Sequence, residues 1–386
     1  VPRSHLGAPG RYASLQLIPW WQQSRIARTR VMVVGAGALG NEILKNLALL
    51  GIGHIFIIDF DDIEASNLTR SVLYREEDIG SHKVEVAAKR VKEINPDVKV
   101  AFLHGDVTTD IGLGLIRSMD VMIGAVDNFA ARIFINRASF KTGTPWINGG
   151  IIELVGEAHV YLPGKGACFE CNLPPDAYRE LRRRFSCQVP REEIEAGRVP
   201  TTPTIASIIG AIQVQEALKL IHRVKVTGGS GLVFNGNINQ SMEVQFALNQ
   251  NCYIHDRLKG TRKLNRSVAN TTFRELLDIS HQDIGRNAAI ELDFNIVTDL
   301  NCSCGYRNRK VKRLDKLRDD ELRCPRCQKM LRNDIKSIID RSTASVLDCT
   351  LEEAGMPPWH IITAKNKAKK ISYEFDADKG TVLNYI

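Results

Sequence analysis

The chain has no apolar run approaching the roughly 20 residues that span a bilayer, and its opening lacks the charged-then-apolar pattern of a secretory signal. These absences predict a protein with no membrane role and a cytoplasmic location. Aromatic residues are scarce, at 6% of 386, and nowhere interleave with basic residues as a nucleic-acid surface requires, so nucleic acid is not an expected partner. A disulfide framework is equally unexpected. The nine cysteines, several spaced as C-x-x-C or C-x-C in a chain without secretory features, point to metal ligation and a nucleophile. With 44% hydrophobic and 25% charged residues, the composition is that of an ordinary globular protein, long enough for one large core or two domains. The formal charge of +8 fits an acidic partner or a nucleotide, although a solvated surface accounts for most of it. The first residues, V-P-R-S-H, read as the scar of a cleaved tag and take no part in the fold argument.

What is present concentrates in residues 31–83. V-M-V-V-G-A-G-A-L-G puts Gly35, Gly37 and Gly40 in G-x-G-x-x-G spacing directly after a buried β-branched run. Glycine there permits a tight turn, close backbone approach to a phosphate and close helix packing, and the helix expected over 41–50 aims its first N–H groups at an anion. The next strand, H-I-F-I-I, ends at Asp59, placed where a carboxylate meets a ribose hydroxyl. Up to this point a nicotinamide or flavin dehydrogenase fits equally well. D-F-D-D-I-E-A-S-N-L-T-R and D-I-G-S-H-K do not suit one. A redox enzyme has no use for Asn67, Arg70 and Lys83 around phosphates, whereas a reaction expelling pyrophosphate needs cations where charge develops.

Together with a later V-D-N-x-x-x-R, these motifs resemble the adenylation domain shared by ubiquitin-activating (E1) enzymes and the bacterial ThiF/MoeB proteins, over about residues 11–255. The resemblance implies a doubly wound, mostly parallel Rossmann-like α/β sheet binding Mg-ATP, with Asp127 at the Mg-ATP site. Arg132 and Asn136 are weaker candidates. A helix N-cap role for Asp127 is compatible with the nucleotide role. In the family the N-terminal region begins R-Y/F-x-R and its arginines reach the ATP site, often that of the other subunit of a homodimer. Arg11 matches the first and Ser14 replaces the second; Arg25 or Arg28 could substitute. L-Q-L-I-P-W-W, with Trp20 and Trp21, is too apolar to leave in water and fits core or dimer packing.

Pattern alone predicts further strands over 98–103, 121–124, 145–148 and 158–162, separated by segments of helical length, and a helix over 204–221. Between them, 164–203 is polar and aperiodic, a loop of functional length. It opens with Cys168 and Cys171, and the resemblance places their partners at Cys252 and His255, a Cys3His zinc set. It also holds Cys187 beside Arg182, Arg183 and Arg184 and ahead of a helix start, surroundings that favour a thiolate. The resemblance makes Cys187 the acyl acceptor.

Beyond residue 256 the character changes to a linker over 257–270 and a mixed α/β module over 271–386, with strands expected over 289–297, 359–363 and 371–375. Cys302, Cys304, Cys324 and Cys327 form two close pairs around a charged stretch with no apparent core, which reads as a zinc ribbon or knuckle and brings the expectation to about two Zn2+ per chain. Cys349 is left over, with burial its default. The implied function is activation of a ubiquitin-like protein ending in glycine: adenylation with ATP and Mg2+, thioester formation on Cys187, and transfer to an E2-type conjugating protein. Adenylation of a sulfur carrier, as in ThiF/MoeB proteins, is the alternative, and an inactive scaffold binding a ubiquitin-like tail a third.

Overall fold

A computed structural model describes residues 10–174, 200–258, 260–318, 320–377 and 379–385. The strand β1 (Arg30–Val34) is an almost wholly buried R-V-M-V-V, the pattern of a central parallel strand covered on both faces. It lies between β2 (His54–Asp59) and β4 (Val121–Gly124), with Val31 opposite both Ile55 and Val121. With β3 (Lys99–His104) and β5 (Trp146–Ile152) outside them, the order 3-2-1-4-5 is parallel throughout. The sheet then continues antiparallel through β6 (Val155–Tyr161), β7 (Ser230–Asn235) and β8 (Gln240–Gln245). The doubly wound, mostly parallel expectation therefore holds, with an antiparallel extension on one side.

Helices cover both faces. After the short α1 (Gln23–Ile26), the helices α2 (Ala38–Leu50) and α3 (Lys83–Ile94) pack with a later helix, over 203–221, on one side. On the other side lie α4 (Val107–Asp110), α5 (Leu113–Arg117) and α6 (Phe129–Thr142). The 19-residue α7 (Pro203–Ile221) is long and apolar enough to cross a membrane by composition. It is nevertheless a core helix: Ile205, Ile209 and Val214 are buried against the sheet, and Gln213 Nε2 donates to the carbonyls of Gly124 and Ile147 at 2.8 and 3.2 Å. Thr202 caps it and Pro203 occupies its first turn, where a missing N–H costs nothing.

The C-terminal region builds a second sheet in the order β11-β10-β13-β14-β9, with β12 also on β10. Its strands are β9 (Thr261–Leu264), β10 (Ala289–Asn301), β11 (Arg307–Arg313), β12 (Arg332–Ile339), β13 (Ile361–Lys365) and β14 (Lys370–Phe375), with α8 (Phe273–Ile284) packed on them. Here the sequence expectations need correction. Residues 257–270, expected as a linker, contribute β9, parallel to β14. The charged stretch expected to lack a core forms β11, and Leu317 and Leu322 join Val297, Leu300, Leu331 and Cys324 in a small core of their own. R-N-R-K-V-K-R has no apolar alternation: Val311, its one apolar residue, packs on the core of the second sheet, and lysine and arginine stems supply most of the remaining burial.

The two sheets share a seam. Trp359 and Ile361 are buried in the same cluster as Met32, Phe56 and Trp146. The Gly114 N–H donates to the Trp359 carbonyl at 2.9 Å, the Leu113 N–H donates to His360 Nδ1 at 3.3 Å, and Arg117 pairs with Glu374. The short α9 (Lys379–Val382) follows, and Val382 and Tyr385 pack against the same cluster.

Candidate functional site

The carboxyl ends of β1, β2 and β4 meet at the glycine loop. Gly35 has φ 97°, and a Cβ on it would strike the Ala125 carbonyl; a Cβ on Gly40 would overlap the Gly35 carbonyl. Gly37, the residue before α2, faces open space, which is what an approaching ligand needs over a helix N-terminus. Two residues outside the expected set hold the loop in shape. Asn41 is fully buried; its Nδ2 donates to the carbonyls of Ala36 and Gly37 at 2.7 and 3.0 Å, and its Oδ1 accepts from the Leu73 N–H at 2.9 Å. The Tyr74 hydroxyl donates to the Ala36 carbonyl at 2.6 Å, and burial pushes this phenol far above its ordinary range, so it stays a donor. Both were hidden in sequence because a helical asparagine and a loop tyrosine carry no signal without their partners.

Asp59 accepts from the Ala36 N–H at 2.6 Å through Oδ2 and from the Asp61 N–H at 2.8 Å through Oδ1. Burial raises its carboxyl, and Lys83 and the two N–H donors offset only part of that. The acid therefore fixes the glycine loop as well as offering its remaining lone pairs to a ligand. Lys83, the nearly buried first residue of α3, pairs with Asp61 Oδ2 at 2.6 Å. Arg70 is half-buried and donates through Nη1 to the Ser66 carbonyl at 2.7 Å, while Asn67 Oδ1 accepts from the Glu64 N–H at 3.0 Å. Both thus shape the turn after β2.

Asp127 follows β4 and is exposed. It does not cap the helix: Asn128 does, its Oδ1 accepting from the Ala131 N–H at 2.8 Å. Asp127 makes no hydrogen bond or ion pair among the described residues, which leaves its carboxylate available to a cation. Arg132 is a clamp, its Nη2 donating to the carbonyls of Val126 and Gly149 at 3.0 and 3.2 Å; burial lowers its pKa, with Glu157 and Asp127 opposing. Asn136 belongs to the cysteine site: it donates to Glu170 Oε1 at 3.0 Å and accepts from the Phe169 N–H at 3.1 Å. Asn148, buried in β5 opposite Gly124, the last residue of β4, has neither amide atom hydrogen-bonded among the described residues, so both remain able to bond a ligand group.

Arg11 is not brought to this crevice. Its Nη1 donates to the Ile94 carbonyl at 2.8 Å, at the opposite end of the 12-residue α3 from Lys83, about 16 Å away along the helix axis. Arg28 donates to its own Ser24 carbonyl at 2.9 Å. Trp21 is buried, whereas Trp20 remains exposed beside His222. Cys187 and its neighbouring arginines lie outside the described residues.

The metal ligands expected from sequence come together in two groups. Cys168, Cys171, Cys252 and His255 form one, with Sγ separations of 3.6 Å from Cys168 to both Cys171 and Cys252 and 3.3 Å from Cys171 Sγ to His255 Nε2. Cys302, Cys304, Cys324 and Cys327 form the other, with 3.4 Å between Cys302 and Cys327 and 3.6 Å between Cys304 and Cys324. These separations are too long for disulfides and near the roughly 3.8 Å that four thiolates take around a tetrahedral zinc with 2.3 Å bonds. Both donor sets fit Zn2+ as closed structural sites. Cys349 is half-buried, and burial raises its thiol to about 12, an inert position.

A model of the ThiF family matches residues 10–254. The adenylyltransferase and sulfurtransferase MOCS3 of Culex quinquefasciatus is 32% identical over 219 residues, covering 56% of this chain and 47% of that protein, so this chain spans about half the length of that relative. The SAMP-activating enzyme E1 of Haloferax volcanii is 31% identical over 237 residues, covering 60% of this chain and 81% of the relative. Among solved structures, E. coli MccB with ATP superposes with a TM-score of 0.55 at 20% identity, covering 66% of this chain and 75% of MccB, a likeness of fold.

Proposed function

The chain belongs to the ThiF family, and from that premise we propose that it is a cytoplasmic E1-like adenylyltransferase that activates the C-terminal carboxylate of a ubiquitin-like protein. The observation that carries this reading is the convergence, at the carboxyl ends of β1, β2 and β4, of an open glycine loop, the Lys83–Asp61 ion pair and the exposed carboxylate of Asp127, which makes no hydrogen bond or ion pair among the described residues. Mg-ATP enters as substrate, with its phosphates over the α2 N-terminus and its cation at Asp127. The carrier's terminal carboxylate attacks the α-phosphorus and the bond to pyrophosphate breaks. Lys83 and Arg70 act by offsetting the charge that develops on the departing oxygens. In the second step the Cys187 thiolate attacks the acyl carbon, AMP leaves with the bonding electrons, and the thioester passes to an E2-type cysteine. Two copies would pair, since Leu17 and Trp20 are exposed and only a second copy would carry Arg11 to a crevice.

The name of the insect relative, an adenylyltransferase and sulfurtransferase, supports a second reading in which sulfur rather than a conjugating enzyme receives the acyl group. One experiment separates the two. Purified protein is assayed for ATP–pyrophosphate exchange with candidate ubiquitin-like proteins and for a thiol-sensitive adduct. Lys83→Ala and Asp127→Ala are each expected to slow exchange by at least about 100-fold, the scale of one lost transition-state contact, and Cys187→Ala is expected to keep exchange and lose the adduct. Exchange unaffected by Asp127→Ala overturns the crevice assignment. Exchange without any adduct in the wild type leaves the sulfur-carrier reading in possession.

A further inference from the structure

Beside the crevice lies a cluster to which neither reading gives a task. Asp62, His82 and His104 each offer one ligand atom, and these three atoms lie within 4.8 Å of one another. Three separate segments deliver them. His104 ends β3 opposite Asp59, Asp62 follows β2, and His82 immediately precedes α3. Backbone bonding fixes their relation: Asp62 and His82 face each other across an antiparallel bridge, the Ile63 N–H donates to the Ser81 carbonyl at 2.9 Å, and the Lys83 N–H donates to the Asp61 carbonyl at 3.1 Å. The imidazoles of His82 and His104 stack with centroids 3.8 Å apart, and His82 Nδ1 lies 2.7 Å from Asp62 Oδ1.

We infer that Asp62, His82 and His104 form a divalent transition-metal site at the rim of the crevice. Two imidazole nitrogens and one carboxylate oxygen make a donor set suited to Zn2+, Co2+, Ni2+ or Cu2+, whereas Mg2+ and Ca2+ take oxygen ligands. Bonds of about 2.0–2.1 Å put neighbouring donors roughly 3 Å apart, so the His82–Asp62 separation already suits adjacent positions on one ion. Entry of the metal replaces that hydrogen bond, and the ring proton moves to the imidazole nitrogen that does not bind the ion. All three residues are exposed, and three protein ligands leave at least one coordination position open to water or to an anionic oxygen. The ion ties the ends of β2 and β3 to the start of α3, where the next residue is Lys83. Occupancy therefore stiffens the mount of the lysine that faces the crevice. The site is independent of what the crevice activates, because none of its ligands belongs to the nucleotide machinery assigned above.

The test uses full-length protein without a histidine tag, its cysteine sites loaded with zinc, dialysed against Co2+ and counted for metal. One further ion per chain is expected, with weak d–d absorption and none of the charge-transfer bands that exchange into a thiolate site would add. His82→Ala and His104→Ala should each weaken its binding by at least about 10-fold, with zinc content unchanged. Thermal melting of each variant without Co2+ serves as the fold control, and Co2+ should raise the midpoint of the wild type only. No third ion in the wild type, or a third ion held with undiminished affinity by the His82→Ala/His104→Ala double variant, overturns the inference.

Discussion

The two cysteine sites have nearly the same donor chemistry and opposite surroundings. Cys168 is fully buried in the cluster that also holds Met32, Phe56 and Trp146, and its site is braced from α6: Asn136 and Arg137 bind Glu170, while Phe140 stacks on His255 with centroids 5.2 Å apart. The second site sits where β10, β11 and β12 run out, over a core of only a few residues. A metal in the first place seals the edge of a large core; in the second it substitutes for one too small to hold its own strands. Removal should therefore cost very different things in the two places.

The largest effect is expected at the first site. Structural zinc contributes about 10–16 kcal/mol to the folding of small zinc domains, as much as the whole stability of an ordinary domain, roughly 5–15 kcal/mol. Even a fraction of that, added to opening the cluster around Cys168, exceeds what the sheet can lose. Cys168→Ser is expected to drop one zinc ion per chain and to leave little folded protein at 37 °C, read by elemental analysis and thermal melting. A variant lacking that ion yet melting like the wild type would erase the distinction between the sites.

The same contrast explains what could be read from the sequence. The first sheet was legible because its information is local. Buried β-branched runs predict β1, β2 and β4 almost to the residue, and the glycines carry their reason for existence in their spacing. The clamps Asn41 and Tyr74 were not legible, since each acts on backbone groups more than 30 residues away in one direction or the other. The second sheet was only half legible. Its cysteine pairs announce a metal, but β9, β11 and β12 are polar strands whose only warrant is the pairing they make. The docking of Trp359 into the first sheet's core depends on Gly112 and Gly114 lacking side chains, a fit that no pattern in either segment signals.

A middle-sized effect should come from that seam and depend on pH. Burial lowers the pKa of His360 to about 4; Asp293 opposes this, while Lys141 and Arg313 reinforce it. The neutral ring accepts from the Leu113 N–H at 3.3 Å. In the unfolded chain a histidine takes its proton near 6.5, so between that pH and about 4 the unfolded state binds more protons and stability falls as pH falls. By pH 5 the loss should be about 2 kcal/mol, at 1.36 kcal/mol per pH unit. Burial also lowers His54, His159 and His255, so denaturant melts from pH 7 to 5 should show a slope in both proteins, steeper in the wild type than in His360→Gln by about this amount. Equal slopes would place the pH sensitivity elsewhere and loosen the claim that the two sheets are latched at this residue.

The smallest effect is expected at the second site, and it sharpens the comparison most. Cys324 is buried, but its surroundings are Val297, Leu300, Leu317, Leu322 and Leu331, none of which packs into the first sheet's clusters. The links from this end of the molecule to the first sheet run through the opposite end of β11: Arg313 donates to the carbonyls of Thr108 and Thr109, and Lys316 pairs with Asp110. Cys324→Ser should therefore release one zinc ion and speed amide exchange across 302–334, while the seam at Trp359 and the crevice keep their shape. Sites without shared partners act independently to within about 0.5 kcal/mol, so ATP–pyrophosphate exchange should stay within about twofold of wild type. If the same variant still makes the Cys187 adduct but no longer passes it on, the second sheet serves transfer rather than adenylation. If exchange itself collapses, the two metal sites belong to one cooperative unit, and the separation drawn from their surroundings fails.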